Sequence, residues 1–151
     1  MKKSSIAIIL LFFFLVSCGY KPIYLNKKNN FNIEKIDTVQ SNRLNTFIKN
    51  NLNSLSNKES DKKISLLIDS KKIKSIASKD AKGNSQLLIM SISLDVQVYE
   101  GNEKKAEKRF SETFTYSNNS NKFNLSRYEK NIEKNLTNKI IKDINIYLAS
   151  L

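Results

Sequence analysis

The only cysteine in this 151-residue chain, Cys18, closes the apolar part of the stretch LFFFLVSCGYKPIY, residues 11–24. The thiolate of cysteine is a strong side-chain nucleophile near neutral pH, so the position of this sulfur is the first chemical clue. Lys2 and Lys3 form a short positive head, residues 6–16 are apolar without a break, and Ser17 is small. These are the parts of a secretory signal: a basic n-region, a short h-region and a small residue at the cut. The run is too short for a stable bilayer-spanning helix, which takes roughly 20 apolar residues. Nothing polar interrupts it to give the amphipathic face of a buried core helix.

Leu15-Val16-Ser17-Cys18 resembles the bacterial lipobox, in which the signal is cut just before the cysteine. The resemblance implies a diacylglycerol thioether on Cys18 and acylation of the new α-amine. An ordinary signal peptide or a free thiol are the plainer readings of the same residues. Each buried methylene contributes about 0.8 kcal/mol and one acyl chain holds only weakly, so several chains on one residue make the attachment effectively permanent. Gly19, in place of Asp, resembles the default Gram-negative pattern that sends a lipoprotein on to the outer membrane.

Other chemistries lack their parts. The chain has no histidine and three glycines, at positions 19, 83 and 101. A serine nucleophile would have no histidine base, no Cys/His cluster can hold zinc, and no glycine-rich loop can cradle a phosphate. Lysine or carboxylate chemistry stays formally open, but no pair is spaced to perform it. The expectation is a protein that is not an enzyme, needs no cofactor beyond a covalent lipid on Cys18, and forms no internal disulfide.

The formal net charge is +12. Cleavage before Cys18 would remove Lys2 and Lys3 and no acid. A basic chain invites a nucleic-acid reading, but an export signal leads away from nucleic acid, and the excess charge is spread along the chain. An anionic membrane surface is the natural partner if the charge is selected. The abundance of Lys, Asn and Ile fits A/T-rich codon usage equally well.

Residues 1–17 therefore read as a lipoprotein signal peptide, residues 18–30 as a lipidated tether containing the only proline, Pro22, and residues 31–151 as a single domain. Within the domain, FNIEKIDTV (31–39) is expected as a strand. Leu44, Phe47, Ile48, Leu52 and Leu55 form a helical stripe over residues 42–55. Ile64, Leu66 and Ile68 alternate as in a strand. The parity then changes to Ile73, Ser75 and Ala77, which suggests a bulge. After a turn around Gly83, Leu88, Met90, Ile92, Leu94, Val96 and Val98 share one face, with Ser91, Ser93, Asp95 and Gln97 on the other. A turn at Gly101-Asn102 leads to a partner strand with Ala106, Phe110, Phe114 and Tyr116 on its greasy face. Ser126 and Glu129 resemble a capping box for a long helix whose stripe runs through Tyr128, Ile132, Leu136, Ile140, Ile144, Tyr147, Leu148 and Leu151. The order β-α-β-β-β-α predicts an α+β fold: a two-layer sandwich, with a four-stranded mixed sheet and two helices on one face. The first two strands are expected to be parallel and the rest an antiparallel meander.

Cys18 followed by Gly-Tyr-Lys-Pro-Ile-Tyr resembles the opening of the LPS-assembly lipoproteins (LptE) of alphaproteobacteria, and the element order is similar to that family's along the whole mature chain. The resemblance implies an outer-membrane lipoprotein on the periplasmic side that plugs the large LptD β-barrel, helps it assemble, and binds lipopolysaccharide without catalysing a reaction. By that resemblance Lys79 and Lys82, near the turn before the third strand, and Lys122, in the loop after the fourth, are the candidate lipopolysaccharide contacts. Lysine is a good point-charge partner for the phosphates of lipid A, although turn lysines in a lysine-rich chain are ordinarily just solvated. Lys104, Lys105, Lys108 and Arg109 form the densest basic group, which reads as a screened surface cluster. Ser91, Ser93, Ser111, Thr113 and Thr115 make the outer sheet face polar and almost uncharged, which suits the polar lumen of a large barrel and equally an ordinary solvated sheet. The competing readings are a generic periplasm-facing lipoprotein, acting as a scaffold or secretion-system component, and a soluble basic nucleic-acid binder.

Overall fold

The computed structural model describes residues 29–151; the signal segment, Cys18 and nearly all of the expected tether lie outside the described residues. Its elements follow the expected order. They are β1 (Asn32–Thr38), α1 (Arg43–Ser54), β2 (Lys63–Lys79), β3 (Ser85–Glu100), β4 (Glu103–Ser117) and α2 (Lys122–Ser150).

The four strands form one sheet in the order β1-β2-β3-β4. β1 runs parallel to β2 as far as Thr38 opposite Ile68, and β2, β3 and β4 form the antiparallel meander. This is the mixed α+β sheet the patterning predicts. Alternation carries β3: Met90, Ile92, Leu94, Val96 and Val98 are all almost fully buried. Ile64, Leu66 and Ile68 from β2 and Phe110 and Tyr116 from β4 extend the same layer. Both helices cover this face, Leu44, Ile48 and Leu52 from α1 and Ile132, Leu136, Ile140, Ile144 and Leu148 from α2 completing the core.

β1 shows imperfect alternation because its register shifts between Ile33 and Lys35. The bulge expected near Ile73 is absent. β2 pairs with β3 without interruption from Ser65 to Ile76, and the irregularities come later, at Ser78 and Lys79. The parity change instead marks where helix cover ends. Ile73 sits on the outer face and Ile76 on the helix side, each about half exposed at 48% and 50%.

The long helix also starts earlier than the Ser126/Glu129 pair suggests. Asn121 is the N-cap, its side chain accepting from the Asn124 amide. Glu129 is used elsewhere: its carboxylate accepts from the Tyr116 hydroxyl at 2.7 Å and from Lys74 at 3.0 Å. Polar residues on the helix side of β4 are matched by α2. Lys139 pairs with Glu112 at 2.8 Å, and Lys108 lies 4.8 Å above the Tyr147 ring.

β1 stops opposite Ile68 while β2 runs on to Lys79, and a side chain takes over the role of β1 there. Asn45, 1% exposed, accepts the Ser70 amide on Oδ1 at 3.0 Å and donates through Nδ2 to the Gln40 carbonyl at 2.7 Å. A buried amide with no strand beside it must find an acceptor, and Asn45 provides it. At the opposite end, the chain entering β1 is tied to both helix C-termini. Asn29 donates to the Leu55 carbonyl and Asn30 to the Ala149 carbonyl.

Candidate functional site

The β2–β3 turn and the β4–α2 loop lie far apart in sequence, and the sheet register brings them to one end. Lys79 pairs with Ser85 across the first hairpin. Asn118, just past β4, ties the other segment to the same place: its amide donates to the Gln86 carbonyl at 2.9 Å and its side chain to the Ser85 carbonyl at 2.8 Å. Lys79, Lys82 and Lys122 are all exposed at this tip.

The β2–β3 turn is locally rigid. The Asp80 carboxylate accepts from the Lys82 amide at 2.9 Å, the Asn84 amide at 2.8 Å and the Asn84 side chain at 3.1 Å. Gly83 adopts φ 85°, a left-handed conformation that glycine takes without strain, and its amide closes the turn onto the Asp80 carbonyl. The Asn84 side-chain and backbone hydrogen bonds hold the Asp80 carboxyl below its ordinary value. Because the lysine side chains take no part in these bonds, the turn is fixed while the cations stay free to meet a ligand.

Apolar groups share the tip. Phe123, at 70%, and Phe114, at 43%, are exposed, as is Ile76 on the helix side of β2. Arg127 stacks over the Phe123 ring at 5.9 Å. Behind them Tyr128 meets Tyr116 edge-on at 6.1 Å. Burial pushes the Tyr116 hydroxyl pKa well up, and its bond to Glu129 adds to the effect. The tip therefore offers cations and exposed aliphatic and aromatic surface together, which suits an amphiphile with anionic headgroups. Sequence patterning assigned Phe114 and Tyr128 to the buried stripes. Phe123 precedes the helix start expected at Ser126 and so received no assignment there.

The outer sheet face carries the expected hydroxyls but is not nearly uncharged, since Asp69, Lys71, Asp95, Glu107 and Arg109 share it. Ser91 and Thr113 share a hydrogen bond at 3.0 Å across β3 and β4. Asp95 and Arg109 form a two-pronged ion pair at 2.6 and 2.8 Å. The Arg109 side-chain hydrogen bond holds the Asp95 carboxyl below its ordinary value, against a smaller opposing effect of burial. The basic group on β4 is largely neutralised locally: Lys104 pairs with Glu107 and Lys105 with Glu103. It is a surface charge network and not a site.

This architecture recurs among solved bacterial lipoproteins. Rare lipoprotein B from Shewanella oneidensis superimposes with a TM-score of 0.59 at 12% identity, covering 77% of this chain and 94% of that one. Lipoprotein B from Nitrosomonas europaea gives 0.60 at 13% identity, covering 87% and 91%. A minor lipoprotein from Acinetobacter baumannii gives 0.59 at 8% identity, covering 82% and 92%. At these identities the likeness is one of fold. No family model matches the chain, and no curated protein matches it in sequence.

Proposed function

We propose that the chain is a non-catalytic outer-membrane lipoprotein of the LptE kind, anchored through lipid on Cys18. In this reading it assembles with an LptD-type β-barrel and binds lipopolysaccharide at the tip. The observation that carries the reading is the convergence of Lys79, Lys82 and Lys122 from two separate segments beside exposed Phe123, Phe114 and Ile76. Lipid A combines phosphates with acyl chains, and this tip matches both. The opening Cys18-Gly19-Tyr20-Lys21-Pro22-Ile23-Tyr24 and a fold shared with bacterial lipoproteins support the same assignment. The hydroxyl-lined outer face of β3 and β4 supports contact with a polar barrel wall, where hydrogen bonds form without burying unpaired charge.

Replacing both Lys82 and Lys122 with Glu tests the tip. Each reversal changes attraction to repulsion at a phosphate, and the pair should weaken lipopolysaccharide binding at least tenfold, about 1.4 kcal/mol, with an unchanged circular dichroism spectrum. Unchanged binding would assign both lysines to solvent. Fatty-acid labelling should mark the wild-type chain and not Cys18→Ser, and a C-terminally tagged chain should recover the barrel from detergent extracts. A labelled chain recovered without a barrel would favour a generic envelope lipoprotein, and an unlabelled one would remove both readings.

A further inference from the structure

The geometry points to a phosphate-binding cleft on the helix side of the sheet, midway between the tip and the opposite end. β1 stops opposite Ile68, and α1 begins at the same height. Beyond Ser70 the helix side of β2 is therefore roofed only by the first turns of α2 among the described residues. The space left is a cleft of about 410 Å³, with Ser70, Lys72 and Lys74 of β2 along its floor.

Its charge is unbalanced. Arg43, Lys72, Lys74 and Lys130 line it, against two carboxylates, Glu129 and Glu133. Both carboxylates are already engaged. Glu133 accepts from Lys72 at 2.7 Å, and Glu129 from Lys74 at 3.0 Å and the Tyr116 hydroxyl at 2.7 Å. Burial alone would raise the Glu129 pKa, but the Tyr116 hydroxyl and Lys74, with Lys72, bring it below the ordinary value. It stays a charged partner for those donors. Arg43 and Lys130 are exposed and form no ion pair among the described residues, so the surplus is positive and accessible.

Two further features point to an anion with several acceptor oxygens. Ser70 is 7% exposed and lines the cleft, yet its hydroxyl has no hydrogen-bond partner among the described residues. A buried hydroxyl without a partner is costly, and a ligand oxygen in the cleft would accept from it. The twelve-residue helix α1 also opens onto the cleft with its positive end. Asn42 caps only the Asn45 amide, and the first intrahelical bond runs from Thr46 to the Asn42 carbonyl. The Arg43 and Leu44 amides precede that bond, and both residues line the cleft. Amides at a helix N-terminus, a guanidinium, an ammonium and a hydroxyl together make a donor set for a phosphate group. The cleft shares no cation with the tip, so it does not rest on the function proposed above.

The test is an amide NMR titration of the full chain in detergent with inorganic phosphate, set against sodium chloride at matched ionic strength. A second arm compares vesicles of phosphatidylglycerol in phosphatidylcholine with phosphatidylcholine alone. Phosphate should shift the Arg43, Leu44 and Ser70 amides more than chloride does. The double variant Arg43→Gln, Lys130→Gln should weaken that response about tenfold or more, and Ser70→Ala should weaken it less. The tip variant Lys82→Glu, Lys122→Glu should leave it unchanged, so failure here and failure at the tip are distinguishable. Shifts with inorganic phosphate assign the free ion, and shifts confined to the phosphatidylglycerol vesicles assign a lipid headgroup. Absence of shifts in both arms, shifts equal to those in chloride, or shifts that persist in the double variant would overturn the site.

Discussion

Asn45→Ala is the sharpest probe of how this sheet is finished. The side chain is 1% exposed and holds two backbone groups, the Ser70 amide at 3.0 Å and the Gln40 carbonyl at 2.7 Å. Truncation leaves both without a partner, and the Ser70 amide lies where water does not reach easily. At about 1–3 kcal/mol for the unpaired buried amide and less for the carbonyl of exposed Gln40, the expected loss is about 1–4 kcal/mol. That is a large part of the 5–15 kcal/mol typical of a folded domain. Urea unfolding followed by circular dichroism should show a lower midpoint with an unchanged slope, and hydrogen exchange should accelerate at Ser70 in particular. Asn45→Leu should fare no better than Ala despite its larger apolar volume, because the same two groups lose their partners. Asn45→Asp keeps an acceptor for Ser70 and should preserve its amide protection better than either. A loss under about 0.5 kcal/mol in Asn45→Ala, or unchanged exchange at Ser70, would refute the idea that this side chain stands in for the missing strand.

Gly101, at φ 58° in the β3–β4 turn, has open space where a Cβ would sit, so Gly101→Ala should cost about 1 kcal/mol from backbone strain alone; thermal unfolding checks this. Acid should weaken the outer face of β3–β4. The Asp95 pKa is lower folded than its ordinary 3.8, so its contribution is present above that value and lost as pH falls through the folded pKa. Asp95→Asn should flatten this acid limb in a pH series of unfolding midpoints, and an unchanged limb would count against the pairing with Arg109.

The sheet was legible wherever one face is buried. The even positions of β3 alternate because helices cover them, and α1 shows its stripe for the same reason. Legibility fails where cover ends. In the far half of β2 neither face is buried, alternation no longer discriminates, and Ile73 on the uncovered side mimics a bulge. Ser126 and Glu129 have capping spacing, but Glu129 is recruited by Tyr116 of β4 and Lys74 of β2, and the helix is capped at Asn121 instead. No local pattern could show that competition. Lys79, Lys82 and Lys122 came from family resemblance, and the register adds that they share one end. Arg43, Ser70 and Lys130 carry no motif, since only the early stop of β1 brings them round one space.

Asn30 at the Ala149 carbonyl and the lysine-bearing hairpin mark opposite poles of an upright molecule. The 29 residues of α2 set the height between them at about 43 Å. If the lipid anchor proposed at Cys18 is present, the pole where the described chain begins at Asn29 is the one nearer to it in sequence, and the hairpin end lies a body length further on.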